Sequence, residues 1–173
     1  MSHLSIFGKD STGNTKYAQT GDTIAVPSAV PHCYGGFQGA NTTIACAQNV
    51  WSHITNGTTN LWVLPEASKF TVTNDTFVFA QAGDYFGLLT VSVSGTNGDD
   101  IFIRCYNTTQ AKQMSYIIGG TVTGAANFMP LALPLYIEDI AVNDVIRFEI
   151  ENITNNNDPN VRSAAFFISY LHE

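Results

Sequence analysis

Of the 173 residues, fourteen are acidic and seven basic, a formal charge of -7, and only 12% are charged while 45% are apolar. Binding a nucleic-acid backbone or an anionic membrane surface needs concentrated positive charge, and here the Lys and Arg residues are scattered from Lys9 to Arg162, so neither partner is expected. A chain of this length holds one core that buries roughly two-thirds of its unfolded surface, and its wet face is built from 15 Asn and 19 Thr instead of ions.

The first residues, MSHLSIFGKDSTGNTKY, lack the basic start and the continuous apolar run of a secretory signal, which predicts synthesis in a cytoplasm. No segment reaches the ~18 apolar residues of a membrane-spanning helix. Residues 1 to 42 are rich in Gly, Ser, Thr, Asn and Pro and hold only short apolar groups, Leu4 to Phe7, Ile24 to Val26 and Cys33 to Phe37. Such a segment cannot build a core of its own, so it is expected to be an extended N-terminal arm, with the folded domain over 43 to 173.

Within that domain, TIACAQNVW and ITNGTTNLWVL read as two strands around a turn at Asn56-Gly57, and Phe70 to Val72 as a short strand turned by Asn74-Asp75. Residues 76 to 94, TFVFAQAGDYFGLLTVSVS, read as a hairpin turned at Ala82-Gly83-Asp84. Period-2 spacing puts Phe77 and Phe79 on one face, and Tyr85, Leu89, Val91 and Val93 on another. Strands are further predicted at 101 to 106, 114 to 120, 128 to 137 and 145 to 150, the last with Ile146, Phe148 and Ile150 inward. The chain closes with AAFFISYL. Short strands with turn signals between them and no sustained helical spacing predict an all-β antiparallel sandwich or jelly roll.

The candidates for chemistry are few. Cys33, Cys46 and Cys105 are an odd number at irregular spacing and read as free thiols. His32, Cys33, Cys46 and His53 lack the paired spacing of a zinc site, and the loops around Asn97, Asp99 and Asp100 and around Asn155 to Asp158 are Asn/Asp-rich turns before they are calcium ligands. No nucleophile elbow, phosphate loop, His-Glu-x-x-His or paired catalytic carboxylates occur. The sequence therefore predicts no enzyme, no metal and no cofactor; a sugar-acting enzyme is the least favoured alternative. Exposed aromatics such as Tyr106, Tyr116 or Trp62 are read as core or subunit seam before sugar stackers.

The order of signals, Phe-x-Phe at 77 to 79, Gly83-x-Tyr85 opening an apolar strand, a strand apolar on both faces at 128 to 137, Asn143-Asp144 before VIRFEI, and a terminal aromatic strand, resembles the tumour necrosis factor and complement globular-head superfamily. The resemblance covers residues 43 to 173 and implies a ten-stranded jelly roll and a compact three-fold homotrimer. In it Asn143 stands where the family has Gly, a residue that tolerates left-handed backbone. An independent argument for assembly is that a monomer covers only one face of a sheet, yet both 85 to 93 and 128 to 137 are apolar on both. Phe86, Leu88, Leu131, Leu133, Leu135 and Phe167 are the expected trimer interface.

The combined reading is a trimeric virion surface protein of bacteriophage type, a capsid decoration protein docked on the major capsid protein or another virion component. Leu4, Ile6, Phe7, Ile24 and Val26 of the arm would make that contact. The alternative is a fibre or spike head that binds a host-surface glycan through loops 94 to 100, 107 to 113 and 151 to 162.

Overall fold

The structure is a computed structural model that describes residues 30–57, 59–124 and 127–172, together with the backbone of 7–9 and 15–17. Its regular elements are all strands: β1 (Phe7–Lys9), β2 (Thr15–Tyr17), β3 (His32–Thr43), β4 (Ser52–His53), β5 (Val63–Ser68), β6 (Phe70–Thr73), β7 (Thr76–Phe79), β8 (Gly83–Ser94), β9 (Asp100–Asn107), β10 (Lys112–Gln113), β11 (Ile118–Thr121), β12 (Met129–Ile140), β13 (Val145–Asn152) and β14 (Asn160–His172). One sheet runs β12-β8-β14-β3-β5. The other runs β10-β9-β13-β7-β6, with β11 beside β9 and β4 beside β13, and β1 pairs with β2. All pairings are antiparallel, and the two larger sheets enclose one hydrophobic core, an antiparallel jelly-roll sandwich. Each larger sheet has a main path of five strands, and β4 and β11 pair beside the path of the second.

The face readings hold along the main strands. Phe77, Phe79, Tyr85, Leu89, Val91 and Val93 are buried, as are Ile101, Ile103 and Cys105 on β9 and Ile146, Phe148 and Ile150 on β13. The stretch 76 to 94 is not a hairpin, however. β7 pairs with β6 and β13, whereas β8 pairs with β12 and β14, so the turn hands the chain from one sheet to the other. A hairpin and a crossing between sheets give the same alternation in sequence, which is why spacing did not separate them.

Two further expectations are corrected. Residues 32 to 43 do not belong to an arm: β3 lies between β14 and β5 in the sheet and buries Cys33, so the sandwich begins about ten residues before the expected boundary. Residues 44 to 51 form no strand, although Ile44 and Cys46 are buried. Side chains from the 150s replace a ladder there, with Asp158 accepting from Cys46 N at 2.9 Å and Asn156 from Gln48 N at 2.7 Å.

Trp62 joins the layers. Its ring sits 5.8 Å from Phe77 and 5.2 Å from Phe148 of one sheet, and 4.9 Å from Phe37 and 5.6 Å from Phe166 of the other, in edge-on or tilted geometries that aromatic pairs favour. The loop carrying it is held by buried Asp75, whose carboxylate accepts from Leu61 N at 2.5 Å, Trp62 N at 3.0 Å and Thr55 Oγ1 at 2.7 Å. Asn143 has φ 70°, the left-handed backbone its place before VIRFEI implied.

Gly83 has φ +129°, and a Cβ there would lie 2.6 Å from the His172 carbonyl oxygen. Strain and overlap add. Gly83→Ala is expected to cost about 3 kcal/mol in urea unfolding; a loss within about 0.5 kcal/mol of zero, the range of an ordinary surface change, would contradict the crossing geometry.

Candidate functional site

The five-stranded sheet has one face on the core and one outside, and its register says which side chains share the outer face. Tyr136 lies opposite Phe86, Pro134 opposite Leu88, Ala132 opposite Thr90 and Pro130 opposite Ser92. Across β8, Phe86 meets Ser169, Leu88 meets Phe167, Thr90 meets Ala165 and Ser92 meets Ser163. On the far side of β14, Phe167 meets Tyr34, Ala165 meets Gly36 and Ser163 meets Gln38.

The result is an apolar row, Pro134–Leu88–Phe167–Tyr34, continued by Phe86 and Tyr136. Phe86, Phe167, Tyr34 and Tyr136 keep between 41% and 51% of their surface exposed, and the rings of Phe86 and Phe167 meet edge-on at 5.9 Å. Next to that row the small residues Ala132, Thr90, Ala165 and Gly36 floor a concavity of about 830 Å3 walled by Val63, Pro65 and Pro130. Ser92, Ser163 and Gln38 close one end in polar groups. The other carries Ser169 and the His32–Glu66 pair, 3.0 Å apart. An apolar centre with a polar rim is the layout of a protein interface.

This corrects half of the expected interface. Leu131, Leu133 and Leu135 lie opposite Val91, Leu89 and Gly87, so they face the core and are buried. Phe86, Leu88 and Phe167 do face outward, with Leu88 partly covered. Paired residues share a face, so Leu131, Leu133 and Leu135 could not have joined Phe86 and Leu88. Pro130, Ala132, Pro134 and Tyr136 take their place. Of the arm residues, Leu4, Ile6, Ile24 and Val26, and the side chain of Phe7, lie outside the described residues.

The remaining candidates disperse. His32, Cys33, Cys46 and His53 form no metal-binding group, and no group of three such side chains occurs among the described residues. Cys33, Cys46 and Cys105 are free and buried, and burial raises all three thiols, Cys33 to about 12. Asp99 accepts from Thr96 N at 2.8 Å and Asn155 Nδ2 at 2.7 Å, so its oxygens hold turns together. Trp62 is core, while Tyr116 is exposed. Loops 94 to 100 and 151 to 158 touch through Asp100 N donating to Thr154 Oγ1 at 2.9 Å. Loop 107 to 113 lies at the other end of β9 and meets Asp139 and Asp144 instead, so the three expected contact loops form no single surface.

On the outer face of the second sheet, buried Glu149 accepts from Arg104 Nε at 2.6 Å and Arg147 Nε at 2.7 Å. The Arg104 guanidinium lies 4.3 Å from the Trp51 ring centre and 4.6 Å from that of Tyr106. Neither the buried pair nor Trp51 was singled out from sequence. The one signal was the alternation of Arg147 and Glu149 on an outward face.

Among solved structures, PRD1 vertex protein P5 superposes with a TM-score of 0.53 at 12% identity over 83% of this chain and 98% of its own. Murine APRIL gives 0.55 at 10% identity over 80% and 98%, and the globular domain of zebrafish complement 1qA gives 0.52 at 13% identity over 82% and 96%. The molecule has the tumour necrosis factor-like jelly-roll fold. No family profile and no curated protein sequence matches the chain. Each of these three chains is matched over nearly its whole length.

His53 links this sheet to the Asp75 loop, its Nε2 lying 2.9 Å from the Asp75 carbonyl oxygen. Burial holds it below its ordinary 6.5, against that carbonyl contact and with help from Arg147. The unfolded chain therefore takes up a proton that the folded chain resists. The stability His53 contributes is present above pH 6.5 and lost as pH falls from 6.5 toward its lower folded value. The stability difference between wild type and His53→Gln should shrink across that window in urea titrations at pH 5 to 8; a pH-independent difference would contradict the assignment.

Proposed function

We propose that this protein is a non-enzymatic component of a virion surface, a homotrimer whose copies meet over the outward face of the five-stranded sheet. The observation that carries this reading is the uncovered row Pro134–Leu88–Phe167–Tyr34 with Phe86 and Tyr136 beside it. Five strands at about 4.8 Å spacing, over the ~20 Å from Phe86 to Ser92, span a plane of roughly 500 Å2. That is as large as the biggest patch a typical monomer leaves open. The trimer implied by the family resemblance would cover it.

The virion assignment draws on the likeness to PRD1 vertex protein P5 and on the low-charge Asn/Thr surface. In this reading the chain decorates a capsid, and Leu4, Ile6, Phe7, Ile24 and Val26 dock it on the major capsid protein or another virion component.

Two measurements test the two halves separately. Phe86→Asp with Phe167→Asp changes only outward side chains, so the double variant should stay folded by circular dichroism and run in light scattering at one-third of the wild-type mass. A wild-type mass of one chain, or an unchanged mass in the variant, would overturn the interface. Ile6→Asp with Phe7→Asp should leave the mass unchanged and abolish co-sedimentation with particles of the virus that encodes the chain. Co-sedimentation equal to wild type would remove the docking role from these residues.

A further inference from the structure

The patch on the outer face of the seven-stranded sheet has more donors than the protein satisfies. Arg104 and Arg147 each carry five N–H groups, and Glu149 is the one hydrogen-bond acceptor that either meets among the described residues. Among the described residues no buried side-chain nitrogen or oxygen lacks a partner, so the unpaired donors reach the surface. Arg104 is nonetheless 84% covered, its side chain keeping 16% exposure, because Trp51 and Tyr106 flank it. Its guanidinium is thus fixed by two rings and one carboxylate.

An acceptor stands beside these donors. Extending the register from His53 opposite Glu149 and Ser52 opposite Ile150 brings Trp51 next to Glu151, and Glu151 lies opposite Phe102 on the same outward face. Residues diagonal on neighbouring strands are about 7–8 Å apart, which places Glu151 within reach of Arg104. Among the described residues the Glu151 carboxylate accepts no hydrogen bond, and it is partly buried. The half-buried Trp51 likewise has no partner for its indole N–H among the described residues.

A fixed guanidinium, a neighbouring carboxylate that feels its charge but accepts no hydrogen bond among the described residues, and an indole on one face suit a ligand that both donates and accepts while offering an apolar flank. Neighbouring hydroxyls of a sugar ring do both, and the C–H face of the ring packs on an aromatic. An anionic ligand fits worse, since Glu151 stands in the patch and the chain carries a net charge of -7. We propose that Trp51, Arg104 and Glu151 form a binding site for a neutral saccharide, with Arg104 donating to two adjacent ring hydroxyls, Glu151 accepting from one, and Trp51 lying against the ring. Tyr106 and Glu149 hold Arg104 in place. The site is on the sheet opposite the proposed subunit interface, and it stands whether or not the protein belongs to a virion.

The test uses the full chain on a glycan array carrying neutral, sialylated and sulfated oligosaccharides, followed by calorimetric titration with the best neutral glycan. Trp51→Ala takes away one of the two rings that flank Arg104 but leaves the Glu149 ion pair, and Glu151→Gln keeps the shape of the side chain; circular dichroism would confirm that both fold. Each should weaken neutral-glycan binding about tenfold or more, the loss of one stacking contact or one charged hydrogen bond. Leu88→Ala, on the opposite sheet, should leave the affinity unchanged. An array positive only for sialylated or sulfated glycans, one with no signal, or neutral binding unaltered by both variants would each overturn the proposal.

Discussion

β8 is hydrogen-bonded along both flanks, to β12 on one side and β14 on the other, and every other feature of the proposed interface follows from that constraint. A central strand cannot turn a side chain aside. Each residue faces the core or the outside, and a one-residue slip would exchange the two sets. With Tyr85, Leu89, Val91 and Val93 filling the core, Phe86 and Leu88 are forced outward. Register then carries the same rule across the sheet, and Tyr136, Pro134, Phe167 and Tyr34 join them.

The core against which this sheet is held is aromatic at its centre. Trp62, Phe77, Phe148 and Phe166 touch in a ring of pairs that crosses between layers, and Phe70, Phe79, Tyr85 and Tyr170 form a second group. Charge is buried only where it is answered. Asp75 has the backbone of Leu61 and Trp62, and Glu149 has two arginines. Removing one partner from such a set leaves an uncompensated charge, typically about 3–5 kcal/mol. These positions therefore fix the frame, and the outward row is free to meet a partner.

The alternation of Phe77 with Phe79, and of Ile146 with Phe148 and Ile150, was enough to give strand existence and inward faces, because a half-buried strand has period 2 however it is connected. The alternation says nothing about which strand lies beside which. That is why the crossing at Gly83 read as a hairpin, and why Leu131 to Leu135 were assigned to the wrong side of β12. On that strand both parities are apolar, Leu on one and Pro, Ala and Tyr on the other, so only the pairing with β8 decides between them. β3 is hidden for a related reason: Gly35 and Gly36 mask a strand whose neighbours approach too closely for larger residues, as the Ala164 carbonyl oxygen 2.2 Å from a would-be Cβ on Gly36 shows. The Trp51–Arg104–Tyr106 stack was invisible because its members come from segments fifty residues apart.

The central claim is that the outward row is covered by other copies and not by water. Hydroxyl-radical footprinting of the intact protein at micromolar concentration tests it directly. Trp51, half-buried on the outer face of the other sheet, should oxidise freely, whereas Phe86, Phe167 and Tyr34 should be protected despite the 41–44% exposure each has in a single chain. Oxidation of those three at the rate their single-chain exposure dictates would contradict the account.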